Sequence, residues 1–212
     1  MLELEVKFYL ADIRSIRGSL IDLGARSRGK FFENNLRFED ANKTLGAKKS
    51  LLRLRQDDQT TLTFKSRPLQ GSRQVKALNE LEVEVSDFST MNQILEALGF
   101  RGEQTYEKWR ETLVIENTRF CLDAMPFGHF LEIEGTQKNI QDYADRLGLA
   151  WDKRILLNYL EIFDLIRKKQ KLNFSDVTFD NFKQIDVRLE DYLHLMQVGH
   201  FPDAQTGKKI AG

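Results

Sequence analysis

The chain has 212 residues, enough for one domain with an appendage or for two small domains. It is 41% hydrophobic and 30% charged, with 32 basic residues against 32 acidic ones, so it can build a sizeable core but is not a globally basic protein drawn to nucleic acid or an anionic membrane. Cys121 is the single cysteine, which excludes an internal disulfide and a cysteine-based zinc site.

No apolar run approaches the roughly 18 residues that span a bilayer, and the N-terminus has no signal-peptide pattern, so a soluble cytoplasmic protein is expected. In the first ten residues Glu3, Glu5 and Lys7 alternate with Leu2, Leu4, Val6 and Phe8, the period of a strand with one charged and one apolar face. Asp12 then caps a helix carrying Ile13, Ile16, Leu20 and Leu23, which Gly24 stops. Residues 26–39 read as a strand and 40–50 as a mobile loop. Leu51–Arg55 and Thr60–Lys65 form a hairpin around Asp57, Asp58 and Gln59. Residues 66–77 read as a second loop and Leu78–Val85 as an alternating strand. A helix is expected over 87–98, a hairpin from Gln104–Ile115 into Arg119–Ala124, a strand over His129–Glu134, and a helix from Thr136 to Leu147. Residues 155–170 look helical, a short amphipathic segment surrounds Leu189–Met196, and the last dozen residues are expected to fray. Strands joined mostly by hairpin turns point to an α+β protein with an antiparallel sheet and helices packed outside it.

The polar faces of these strands are unusually ordered. Besides Glu3, Glu5 and Lys7 they carry Arg53 and Arg55, then Thr63 and Lys65, then Glu80, Glu82 and Glu84, then Lys108 and Arg110, then Asp123, and finally Glu132 and Glu134. Like charges about 7 Å apart on one face repel. The pattern makes sense if acidic strands face basic ones, or if a cation and an anion supply the countercharges. A closed barrel whose apolar face points out to covering helices and whose charged face points inward meets both conditions. Clustered carboxylates without a Cys or His cluster suit a hard cation, Mg²⁺ or Mn²⁺, and clustered Arg and Lys suit phosphate. Together they suggest metal-assisted chemistry on a phosphorylated substrate, cradled by side chains because no Walker-type loop is present.

These residues resemble a known family. Glu3-Leu4-Glu5-Val6-Lys7 is similar to the ExExK signature of the CYTH proteins, or triphosphate tunnel metalloenzymes, and the later strands follow in the family's order. The resemblance covers roughly residues 1–160, leaving 161–212 as a C-terminal helical extension. It implies a closed eight-stranded antiparallel barrel, a tunnel open at both ends, that binds a triphosphate and divalent metal. By this resemblance Glu3, Glu5, Glu132 and Glu134 surround the catalytic metal, and Asp123, Glu82 and Glu84 hold or orient a second. Lys7, Arg53, Arg55, Lys65, Lys108 and Arg110 bind phosphate. Lys7 and Glu5 carry the catalytic role, with Lys7 placing phosphate or water before serving as a base, because the acids around it oppose deprotonation. Where many members have a Ser-Tyr pair, this chain has Asn158-Tyr159. The aromatics of the tail are expected to pack on the barrel, with a homodimer contact as the alternative. The scattered His129, His194 and His200 read as structural or surface residues, and Cys121 as a small filler.

Three functions are compatible with this reading. A hydrolase cleaving tripolyphosphate or an organic triphosphate such as thiamine triphosphate needs only the cradle, the metal and a placed water. A class IV adenylate cyclase uses the same cradle on ATP but needs a purine pocket, which the sequence does not reveal. A non-catalytic polyphosphate-binding module would be expected to lose some of the acids, and none is lost. The hydrolase is the leading expectation.

Overall fold

The computed structural model describes residues 2–68 and 74–200, apart from the side chain of His200. Eight strands form the sheet: β1 (Leu2–Leu10), β2 (Arg26–Asp40), β3 (Leu51–Gln56), β4 (Thr60–Ser66), β5 (Lys76–Glu84), β6 (Phe100–Ile115), β7 (Thr118–Met125) and β8 (Gly128–Glu134). Five helices accompany them: α1 (Ile13–Asp22), α2 (Thr44–Ala47), α3 (Phe88–Ala97), α4 (Gln137–Arg146) and α5 (Tyr159–Gln170). The strands close into an antiparallel barrel in the order β1-β5-β4-β3-β2-β6-β7-β8.

Alternation decides which residues meet on each side of the wall. Val6, Phe8, Leu113, Phe120, Leu122, Leu131 and Ile133 point outward and are buried beneath α1 and α4, through Leu20, Ile140 and Ala144. Phe38, Leu52 and Leu54 likewise pack beneath α3 through Leu95. The caps expected from sequence set these helices in place: Asp12 accepts from the Arg14 and Ser15 amides, Asp87 from Thr90, and Thr136 from Asn139.

The structure departs from the sequence expectation in three places. The loop over 40–50 contains the short helix α2, tied down by the Glu39 carboxylate, which accepts from the Leu45 and Gly46 amides. Strand β6 begins at Phe100, ahead of the expected Gln104, because it follows the long β2 as far as Asp40. The helix expected from 155 begins at Tyr159. Ile155 instead lies along β1, donating to the Lys7 carbonyl at 2.7 Å and accepting from the Lys7 amide at 3.1 Å, and Asn158 with Glu161 forms the capping box. The segment at Leu189–Leu195 is a 3-10 helix. The centre of the second expected loop, 69–73, and the expected frayed end, 201–212, lie outside the described residues.

A larger correction concerns the tunnel. Tyr106, Met125 and Phe130 share the inward face with Lys108, Asp123 and Glu132, and they are buried against Tyr159, Ile162, Phe163 and Ile166 of α5. Val177, Phe182 and Leu189 complete this cluster, with Phe174 packed against it, so the aromatics of the tail do pack on the barrel. The charged inner face thus turns apolar toward one end, and α5 covers that end. The barrel is therefore not open at both ends. Phe130, fully buried between Tyr9, Phe127 and Tyr159, sits at the centre of this plug. Phe130→Ala is expected to cost about 3–5 kcal/mol of unfolding free energy, read from the shift in a urea denaturation midpoint.

Candidate functional site

The inward charges form a continuous belt across all eight strands. On β1, Lys7 lies 3.2 Å from Glu5 and 2.8 Å from Glu132 of β8. Arg110 of β6 bridges Glu132 at 2.5 Å and Asp123 of β7 through Nε at 2.6 Å. Lys108 lies 3.3 Å from Asp123 and 3.4 Å from Glu33 of β2. On β3, Arg53 and Arg55 each lie 3.8 Å from Glu82 of β5, and the Thr63 hydroxyl of β4 donates to Glu82 at 2.8 Å. Lys65 then joins Glu80 at 3.2 Å to Glu3 at 2.6 Å, and Lys76 lies 2.8 Å from Glu5.

This density of charge reshapes the acid–base behaviour of the belt. Burial alone would raise the Glu5 carboxyl and lower the Lys7 ammonium. Their proximity outweighs burial for both: Lys7 and Lys76 hold Glu5 below the usual carboxylate range, and Glu132 and Glu5 hold Lys7 above the usual lysine range. Lys7 is therefore a fixed cation, suited to gripping a phosphate oxygen or a water. Burial also opposes ionisation of Glu132, yet Lys7 and Arg110 keep it well below its ordinary value. Glu3 behaves oppositely. Burial, only partly offset by Lys65 and reinforced by Glu5 and Glu134, pushes it up to about 7. Burial and Glu132 also raise Glu134.

Carboxylate oxygens of Glu3, Glu5 and Glu134 lie within 4.8 Å of one another, a spacing at which a shared cation would relieve their repulsion. This oxygen-only set fits a hard divalent ion such as Mg²⁺ or Mn²⁺. Glu132, Glu134 and the Cys121 sulfur form an overlapping group, whose soft sulfur suits a hard ion less well than the oxygen-only set. The remaining acids singled out from sequence stand elsewhere. Asp123 is fully buried and accepts from Arg110, Lys108 and the Tyr159 hydroxyl, the last at 2.6 Å. Glu82 faces Arg53 and Arg55, and Glu84 lies exposed beyond it on β5. Of the seven acids proposed from sequence for metal, the structure gathers Glu3, Glu5 and Glu134 around one point, with Glu132 beside them. The six phosphate candidates Lys7, Arg53, Arg55, Lys65, Lys108 and Arg110 all face the interior.

Sequence reasoning missed Glu33, Asn35 and Lys76 as members of the belt. On β2, Glu33 and Asn35 point into the belt, and Glu33 Oε2 and Asn35 Oδ1 are buried without a hydrogen bond. The signal was present, since Glu33, Asn35 and Arg37 alternate with Phe32, Leu36 and Phe38 in the same way as on the other strands. Tyr159 carries a second role besides its hydrogen bond: the Lys7 and Lys108 ammonium groups lie 5.0 and 5.1 Å from its ring centroid. His129 and His194 are exposed and take no part in the belt.

Three outcomes follow for this belt. Asp123→Asn is expected to destabilise the fold by about 3–5 kcal/mol, because Arg110 and Lys108 would keep their buried charges without a full partner; thermal unfolding with calorimetry checks it. Lys108 and Arg110 outweigh burial and hold the Glu33 carboxyl at about 2, below its ordinary 4.5. The stability it contributes is complete above pH 4.5 and lost as the pH falls toward 2, so Glu33→Gln should flatten that acid limb of the melting temperature. Mn²⁺ at a hundred times its dissociation constant is expected to stabilise the fold by about 2.7 kcal/mol, read as a rise in the melting temperature. Glu134→Gln should abolish most of that rise.

Comparison with known proteins places this geometry in context. The model of the CYTH domain family matches residues 1–178. A protein of Methanocaldococcus jannaschii, named "Putative adenylate cyclase", is 27% identical over 172 residues, spanning 79% of this chain and 95% of its own. The solved structure of the PH1012 protein of Pyrococcus horikoshii is 28% identical with a TM-score of 0.64, covering 75% of this chain and 98% of that one. A Hippeastrum protein, named "Putative adenylyl cyclase" and described as having a dominant triphosphatase activity, shares the fold. It has a TM-score of 0.57 and 18% identity, over 77% of this chain and 94% of its own.

Proposed function

Because this chain belongs to the CYTH domain family, we propose that it is a divalent-metal-dependent enzyme acting on a small-molecule triphosphate, and that its reaction is hydrolysis. The observation that carries this reading is the inward belt itself. Six cationic side chains face one interior beside a trio of carboxylates, an arrangement suited to a polyanion and a cation entering together. Glu3, Glu5 and Glu134 would hold Mg²⁺ or Mn²⁺. The ion would supply charge neutralisation of the phosphate oxygens and acidify a water.

The rest is work for the chain's own side chains. Arg53, Arg55 and Arg110 present guanidinium forks suited to bidentate phosphate contact, while Lys65 and Lys108 act as point charges. These groups pair with carboxylates in the structure described here. Binding is therefore an exchange, in which phosphate oxygens replace carboxylates as partners of the cations. Lys7, held charged between Glu5 and Glu132, orients a terminal phosphate oxygen or the attacking water. The apolar plug under α5 keeps bulk water from one end, which strengthens each of these contacts.

The name of the Methanocaldococcus jannaschii relative favours a second reading, adenylate cyclase, in which the ribose 3′ oxygen of ATP attacks the α-phosphate. The description of the Hippeastrum protein favours hydrolysis. Product analysis separates them. With Mn²⁺ or Mg²⁺ and tripolyphosphate, the purified protein is expected to release phosphate, and Glu5→Gln is expected to lower kcat by at least about 100-fold, because it weakens the hold on an ion that would neutralise transition-state charge. Cyclic AMP and pyrophosphate from ATP would establish the cyclase instead. Tight binding without turnover of tripolyphosphate, thiamine triphosphate or ATP would reduce the protein to a binding module.

A further inference from the structure

The register across β7, β8, β1 and β5 sets four charged side chains on one rung of the barrel. Arg119 stands opposite Glu134, Glu134 opposite Glu5, and Glu5 opposite Lys76. By alternation with Asp123, Glu132 and Lys7 all four face the interior, so the rung reads cation, acid, acid, cation from β7 to β5. The next inward-facing rung carries Cys121, Glu132 and Lys7. The Arg119–Lys76 rung lies on the far side of it from the plug, because β1 runs from Glu5 through Lys7 to Tyr9, which packs on Phe130.

The two outer cations each hold the acid beside them. Lys76 Nζ lies 2.8 Å from Glu5 Oε1, and Arg119 Nη1 lies 3.1 Å from Glu134 Oε2. Glu3, the third acid of the trio, has Lys65 at 2.6 Å. Every member of the trio thus faces a cation, with Lys7 shared between Glu5 and Glu132 and Lys65 shared between Glu3 and Glu80. A divalent ion arriving alone would stand among these cations, and Coulomb repulsion opposes it. An ion arriving with a polyanion meets no such obstacle, because the polyanion supplies new partners for the cations that the ion displaces. Lys65 and Lys7 already belong to the phosphate set; Lys76 and Arg119 do not. Both stand at strand ends, Lys76 first in β5 and Arg119 second in β7, and the Arg119 side chain is 60% exposed, so each can swing from acid to ligand without disturbing the wall.

We propose that Lys76 and Arg119 are two further positioning residues of the site: they hold Glu5 and Glu134 until a divalent ion takes those acids, and then turn to the polyphosphate. The group they grip is the one next to the phosphate at Lys7, on the side of the open end. Metal and polyanion then bind as a pair, each making room for the other. This rests on the reading of Glu3, Glu5 and Glu134 as the metal site and of the interior as a triphosphate site.

The test reads metal and anion separately on the purified protein. Free Mn²⁺ is followed by its paramagnetic resonance signal, which is lost on binding. Lys76→Met keeps the stem and removes the charge. It is expected to tighten Mn²⁺ without phosphate present by at least about 5-fold, the lower end of a typical coupling between two sites. Arg119→Gln is expected to act in the same direction by up to about 5-fold, as befits an exposed ion pair. In excess Mg²⁺, calorimetric titration with tripolyphosphate is expected to show the opposite sign, with Lys76→Met weakening it by at least about 5-fold and Arg119→Gln weakening it less. A merely structural residue would weaken both ligands when removed. Arg119, being exposed, can be replaced without threatening the fold. Either residue is excluded if its variant leaves Mn²⁺ affinity unchanged or lowers it, or if that variant binds tripolyphosphate as tightly as the parent. Glu134→Gln is the control. If it takes up Mn²⁺ as well as the parent does, or if the parent takes up none, the trio is not the metal site, and that reading fails and takes this one with it.

Discussion

Everything in this molecule depends on enclosing charge. A barrel of this size normally fills its interior with apolar side chains, because an ion removed from water loses several kcal/mol of solvation even after relaxation. Here Lys7, Lys108, Asp123, Glu33 and Glu132 are nearly or wholly inaccessible to solvent. They are tolerated because each touches an opposite charge on a neighbouring strand: Lys7 bridges β1 to β8, Arg110 bridges β6 to both β7 and β8, and Lys108 bridges β6 to β2. The sheet must close for that to work, since an open edge would leave one member of the belt without its partner. The outward apolar face and its covering helices supply the hydrophobic free energy that a charged interior cannot.

The same constraint explains why the plug matters. Tyr159 lies where the belt meets the apolar end, with its hydroxyl on Asp123 and its ring against the ammonium groups of Lys7 and Lys108. It thus belongs to both environments, an aromatic body in the core of α5 and a polar tip in the belt. Its position is set by the Asn158–Glu161 capping box and by the backbone pairing of Ile155 with Lys7, which together fix where α5 starts. Helix placement, water exclusion and the geometry around Lys7 are therefore one structural fact. With one end closed, a ligand that enters the barrel has an orientation imposed on it.

Much of this was legible in the sequence because alternation is a local signal. Charges at spacing two on successive strands, with apolar residues between them, define both faces of the wall and the sign of each strand, and so give the closed barrel and its charged interior. Helix limits followed from Asp12, Asp87 and Thr136, whose side chains act within a turn of themselves. What was not legible depends on contacts distant in sequence. The apolar stripe of α5 announces that the helix is covered, but nothing local tells whether it lies on the outer face or over an end of the barrel. The grouping of Glu3 and Glu5 with Glu134 depends on the β1–β8 register, as does the separation of Asp123 from that trio. Glu33 and Asn35 were readable and were passed over, because β2 mixes its charged positions with an amide and an exposed Phe31.

The distinction between hydrolysis and cyclisation then becomes a matter of depth. Both reactions use an in-line attack on phosphorus, and they differ in which phosphorus is attacked and which oxygen attacks it. With α5 covering one end, a nucleotide would enter from the other with its phosphates leading, so that its terminal phosphate goes toward Lys7. The ribose remains at the rim, where its 3′ oxygen can approach only the α-phosphate. A water bound near Lys7 is offered only the terminal phosphorus. On the proposed reading, which chemistry prevails depends on which of these two phosphorus atoms comes to lie against the Glu3, Glu5 and Glu134 trio. Glu5 is the member of the trio that Lys7 also touches, so an ion held by the trio would stand beside the phosphate that Lys7 grips.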